Sequence, residues 1–167
     1  MGLHEHRRSK PGAVACAVLT ISDTRTLETD ESGRLTRDLL ERAGHRIVHT
    51  AILPDDPERV GMEVTALLLR EDVEAVLING GTGISPRDRT HEAVSALLEG
   101  RLDGFGELFR MLSYQEVGAA AMLSRAAAGV ARGKVLASLP GAPAAVELGM
   151  ARLLIPELAH MVDLLRG

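Results

Sequence analysis

At 167 residues the chain is long enough for one well-buried domain and short for two. Its 46% apolar and 25% charged residues match an ordinary soluble globular protein, and a formal charge of −4 supplies no basic field for nucleic acid. Phe105, Phe109 and Tyr114 are the only aromatic residues, too few for a base-stacking platform, and no segment reaches the roughly 20 apolar residues that span a membrane.

Residues 1–12 read as a flexible polar tail and residues 13–167 as a single domain. Val14–Ile21 is an unbroken apolar run, the pattern of a strand buried on both faces. Within it lies Cys16, the only cysteine; no internal disulfide is possible, which fits a reducing cytoplasmic compartment. A long polar loop follows, and Ser32 is the expected cap of a helix carrying Leu35, Leu39, Leu40 and Ala43 at helical spacing, ended by Gly44. Strand two spans Arg46–Leu53 and closes in Pro54-Asp55-Asp56-Pro57. A second helix covers Glu58–Arg70, with Val60, Val64, Leu67 and Leu68 on one face.

Strand three, Val73–Ile78, runs into Gly80-Gly81-Thr82-Gly83, and a third helix is expected over Thr90–Leu98. An apolar helix Glu107–Tyr114 and an Ala-rich segment come next. Gly129–Gly133 reads as a turn between two short strands, the second being Lys134–Leu139. After Pro140-Gly141-Ala142-Pro143, a last helical stretch, Ala144–Leu165, is opened anew or kinked at Pro156. The βαβαβα order predicts a three-layer α/β/α sandwich whose sheet is mostly parallel, with one short antiparallel pair.

In such sheets ligands bind beyond the strand C-termini, at the switch in strand order. If strands one and three are neighbours, the turns after Thr20, Leu53 and Asn79 open on one rim. Glycines there let backbone N–H groups approach an anion, while Asp88 in the same loop would repel a phosphate unless a cation lay between. Magnesium uses one or two carboxylates plus substrate phosphates, a description that Asp55 and Asp88 fit. Each also has a plainer reading: Asp88 as a favourable charge at a helix N-terminus, Asp55 as a turn residue. No Gly-Lys-Ser/Thr follows the glycines, and Pro86 stands where a dinucleotide fingerprint needs a third glycine, so neither common glycine loop is present.

The segment Gly80-Gly81-Thr82-Gly83-x-x-x-Arg87-Asp88-x-Thr90, with Leu139-Pro140-Gly141-x-Pro143, resembles the MoaB/MogA family of molybdenum-cofactor biosynthesis proteins. Thr20-Ile21-Ser22-Asp23, Asp30-x-Ser32-Gly33 and Pro54-Asp55 also match, and Phe105 to Ser113 is similar to the MoaB branch. The resemblance implies a domain that binds molybdopterin and ATP. Catalytic members adenylylate molybdopterin with Mg²⁺ and release pyrophosphate. It assigns catalysis and metal binding to Asp55 and Asp88. Ligand contacts fall on Ser22, Asp30, Ser32, Gly80, Gly81, Thr82, Gly83, Arg87, Thr90, Pro140 and Gly141. It further implies a homotrimer or homohexamer and a molybdenum-insertion partner protein. Some MoaB types lack a catalytic aspartate and are inactive, which leaves a non-catalytic molybdopterin-binding or assembly protein as the alternative. Both aspartates stand here, whereas Ala142 replaces the family's frequent Ser or Asn, and His91 its frequent Pro.

Overall fold

The computed structural model describes residues 12–167; all but the last residue of the expected tail therefore lies outside the described residues. The elements are β1 (Ala15–Ile21), α1 (Glu31–Arg42), β2 (Arg46–Leu53), α2 (Pro57–Leu69), β3 (Ala75–Asn79), α3 (Thr90–Leu97), β4 (Gly100–Arg101), α4 (Asp103–Val117), β5 (Ala127–Ala131), β6 (Lys134–Leu139), α5 (Pro143–Gly149) and α6 (Ile155–Arg166). They build a six-stranded sheet in the order β2-β1-β3-β6-β5-β4. β2, β1, β3 and β6 run parallel, while β5 is antiparallel to both β6 and β4. The expected three-layer α/β sandwich is the observed fold.

Alternation along the strands sorts the core into two layers. Val18, Leu77 and Leu139 pack with Leu40 of α1, Phe109 of α4 and Leu158 of α6 on one face. Leu19, Ile78 and Leu136 pack with Val60, Val64 and Leu67 of α2 and Val94 of α3 on the other. All seven residues of β1 are buried, which is why that stretch carries no polar face.

Several boundaries differ from the sequence reading, each for a local reason. Asp30, not Ser32, caps α1: its Oδ1 accepts from Gly33 N at 2.9 Å. The hairpin turn is Arg132-Gly133 alone, with φ of +49° and +71° as a two-residue turn matched to strand twist requires. Gly129 instead lies within β5, where a side chain would collide with the carbonyl of Gly100. That close passage admits β4, a two-residue strand absent from the sequence reading. The last helical stretch runs on through a π-turn over Met150–Leu154 into α6, and Pro156 closely follows that turn, where the regular i→i−4 ladder is already interrupted.

Because β1, β2, β3 and β6 are parallel, their C-terminal ends share one rim. Four loops open there: residues 22–30, 54–56, 80–89 and 140–142. Every residue assigned to ligand, metal or catalysis from sequence lies in those loops or in the helical turns that follow them.

Candidate functional site

The crevice is assembled by contacts between loops far apart in sequence. Ser22 N donates to Leu53 O at 2.8 Å and Asp55 N to Asp23 Oδ1 at 3.0 Å, joining the ends of β1 and β2. Thr90 Oγ1 donates to Asp55 Oδ1 at 2.7 Å, tying the second loop to the first turn of α3. Gly81 sits against Thr90 so closely that an added Cβ would stand 2.5 Å from the threonine Cβ, and its φ is +70°; both facts require glycine. Asp88 folds back over the same loop: its Oδ2 accepts from Ser85 N at 3.1 Å and would be 2.6 Å from a Cβ on Gly83.

The helix caps beside the two aspartates fall on other residues. Asp56, rather than Asp55, caps α2, accepting from Glu58 N at 3.0 Å and Arg59 N at 3.2 Å. The cap of α3 is Arg89 with no side-chain bond, so Asp88 does not cap that helix. Both aspartates are half-buried and keep their second carboxylate oxygen free of protein hydrogen bonds among the described residues.

Between them runs the glycine loop. Gly80 N donates to Leu139 O at 2.8 Å, and a Cβ on Gly141 would rest 3.4 Å from Gly80 Cα, so the Pro140-Gly141 turn lies against the glycines. The N–H groups of Gly81, Thr82, Gly83 and Ile84 have no protein acceptor among the described residues. Successive free amides of this kind form an anion-binding concavity. Arg87 is exposed on the outer part of the loop.

The first loop has a different character. Asp30 is 2% exposed, and both its oxygens are taken by protein: Oδ2 by Thr20 Oγ1 at 2.7 Å, Oδ1 by the α1 cap. Ser32, fully buried, donates its hydroxyl to Gly141 O. Ser22 Oγ accepts from Thr24 N at 3.2 Å and Arg25 N at 3.0 Å, shaping the turn. These three residues are at the crevice, but their polar atoms hold the walls together.

Two arginines escaped the sequence reading. Arg25 donates to Ser32 Oγ at 2.8 Å and to Gly141 O at 3.1 Å, spanning the first and last loops. Arg125 donates from Nε to Gly83 O at 3.0 Å and from Nη2 to Asp88 O at 2.7 Å, and pairs with Glu92. That pairing holds the Glu92 carboxyl below its usual range. Neither carried a sequence signal, because arginine supplies nearly all the cations of this chain. His91 turns its ring along its own helix, Nε2 lying 3.2 Å from Ser95 Oγ, and burial followed by the nearby Arg125 charge lowers its pKa. It begins the helix and leaves the crevice to its neighbours.

Comparison with known proteins gives a consistent set of relatives. Residues 17–160 match the family model described as a probable molybdopterin binding domain. Molybdenum cofactor biosynthesis protein B of Bacillus cereus is 51% identical over 162 residues, covering 96% of each chain. A crystal structure of molybdenum cofactor biosynthesis protein B superimposes with a TM-score of 0.91 at 52% identity, covering 95% of this chain and 99% of that one. The tungsten cofactor synthesizing protein MoaB from Pyrococcus furiosus has a TM-score of 0.84 at 34% identity, covering 95% of this chain and all of that one (100%).

Proposed function

This chain belongs to the molybdopterin-binding domain family of molybdenum cofactor biosynthesis proteins, and from that premise we propose that it is a molybdopterin adenylyltransferase. In the proposed reaction an oxygen of the terminal phosphate of molybdopterin attacks the α-phosphorus of ATP. A new P–O bond forms, the bond between the α-phosphorus and its bridging oxygen breaks, and pyrophosphate leaves. Two polyanions must meet, so positioning and electrostatic stabilisation supply most of the rate.

The observation that carries this reading is the joining of Asp55 and Asp88 to one glycine loop, through Thr90 and Gly83, beside a row of free amides. The free amides of Gly81, Thr82, Gly83 and Ile84 would bind phosphate oxygens, with Arg87 as an exposed cation at the loop. Asp55 and Asp88 would hold Mg²⁺ or its waters. Their free oxygens suit a hard cation, and no group of three or more His, Cys, Asp or Glu side chains that could hold a metal by itself occurs among the described residues. That donor set fits an ion completed by substrate phosphates. A Mg²⁺ ion bound there would neutralise phosphate charge.

The test is direct: the purified chain is incubated with molybdopterin, ATP and Mg²⁺, and pyrophosphate and adenylyl-molybdopterin are measured. Stoichiometric formation of both supports the reading. Tight molybdopterin binding without pyrophosphate release would replace it with a non-catalytic binding or assembly role in the same pathway. One feature favours that second reading: Ala142 gives the N-terminus of α5 no side-chain cap, where related chains often carry a hydroxyl or amide.

The proposal includes a homo-oligomer, a trimer or a hexamer. Leu108, Met111, Tyr114 and Val117 on α4 are each about half exposed or more, beside an apolar groove of about 580 Å³ between α4 and α6. Sedimentation equilibrium checks this, and a monomer at micromolar concentration would exclude it. No helix among the described residues is long and apolar enough to cross a membrane. The lone Cys16 is free and buried, which supports a reducing, cytoplasmic setting. A partner that inserts molybdenum would receive the adenylylated product.

A further inference from the structure

We infer that Arg125 is a positioning residue that orients the peptide units of the glycine loop, so that their N–H groups face the crevice. The inference rests on reading that crevice as a phosphate site. A trans peptide is planar, so a carbonyl held in one direction points the following N–H in the other. Three successive carbonyls of the loop are held by protein donors. Gly81 O accepts from His91 N at 3.2 Å, Thr82 O from Arg125 N at 3.0 Å, and Gly83 O from Arg125 Nε at 3.0 Å.

The N–H groups completing those same peptide units belong to Thr82, Gly83 and Ile84, and none has a protein acceptor among the described residues. Two of the three anchors thus come from one residue, placed 42 positions further along the chain from Gly83: one through its main-chain N–H, which a substitution keeps, and one through its guanidinium, which a substitution removes. The guanidinium also reaches Asp88 O at 2.7 Å, so the main chain beneath the second aspartate is set by the same side chain. Glu92 holds the remaining edge of the fork. A planar fork can serve two carbonyls at once, whereas the single ammonium of lysine cannot reproduce both directions.

The test uses the full chain with Arg125→Ala and Arg125→Lys. In the ligand-free protein, hydrogen exchange of the loop amides that are hydrogen-bonded, those of Ser85, Asp88 and His91, should quicken by at least about tenfold in Arg125→Ala, while the core strands keep wild-type protection. Turnover with molybdopterin and Mg-ATP should fall in kcat by about 100-fold, with the KM for molybdopterin changed far less. Added guanidinium ion, and not an equal concentration of potassium, should restore part of both. Arg125→Lys should fall between wild type and alanine, and it carries the test if the alanine variant does not fold.

Unchanged exchange of the loop, or a uniform loss of protection across the sheet with no guanidinium rescue, overturns the inference. A wild type that never releases pyrophosphate sinks the adenylyltransferase reading instead. The exchange experiment still decides the role of Arg125 in that case.

Discussion

Thr90 Oγ1 and Asp55 Oδ1 lie 2.7 Å apart across 35 residues of sequence, and this one bond fixes the second aspartate loop to the helix that follows the glycines. Thr90 is fully buried, so its hydroxyl has no competing water. Thr90→Val keeps the shape and removes the donor. The expected loss of stability is about 1.5–3 kcal/mol, the net value of a hydrogen bond to a charged group. The loss of turnover should be larger than that figure implies, because Asp55 is then free to rotate. Urea unfolding beside a pyrophosphate-release assay separates the two effects. A lower unfolding free energy with unchanged turnover of the folded variant would show that the bond is structural only.

Gly81 and Gly44 offer a matched pair. Both have positive φ, +70° and +88°, but a Cβ on Gly44 meets nothing within 4 Å whereas one on Gly81 reaches 2.5 Å from Thr90. Gly44→Ala should therefore cost only the left-handed backbone penalty, about 1 kcal/mol. Gly81→Ala adds a contact against a buried side chain and should cost about 2–4 kcal/mol in total while abolishing ligand binding. Unfolding midpoints for the two variants check the difference, and equal midpoints would refute the close approach.

Asp88→Asn keeps the acceptor for Ser85 N and removes the charge. Turnover dependent on Mg²⁺ should fall by about 100-fold or more, with molybdopterin binding changed little. Chelation of Mg²⁺ should reproduce that phenotype in the wild type without lowering its thermal midpoint. A variant that turns over at near wild-type rate would remove Asp88 from catalysis.

Most of the rim was legible because its signals are local. An apolar run ending in Asn79-Gly80-Gly81 marks a buried strand entering a tight loop. The fully buried β1, apolar but for Thr20, marks a central position in the sheet. Three features were not legible for a common reason. β4 exists only through its pairing with β5. Ser32 gives its hydroxyl to Gly141 O, 109 residues away, and Asp30 caps α1 instead. The Arg125 contacts bridge elements 37 and 42 residues apart. Each depends on tertiary neighbours that no window of sequence contains.

His45 provides a pH-dependent test of the fold itself. It is 9% exposed, its Nδ1 accepts from Val14 N at 3.1 Å, and burial lowers its pKa from 6.5. Protonation would set a donor against a donor at the start of β1. In the unfolded chain the imidazole takes up a proton near its ordinary value, while in the folded chain it does so only at lower pH. The unfolded state therefore binds more protons in that window. Stability from this group is complete above 6.5 and erodes as pH falls below it, levelling once the folded imidazole is also charged. His91, also lowered, acts in the same direction, so His45 accounts for part of the slope. His45→Gln retains an acceptor oxygen without a titrating group. Its unfolding free energy should fall less between about pH 7 and 5.5 than that of the wild type. A variant whose slope equals the wild-type slope would mean that His45 titrates alike in both states, and that the Val14 contact does not hold it neutral.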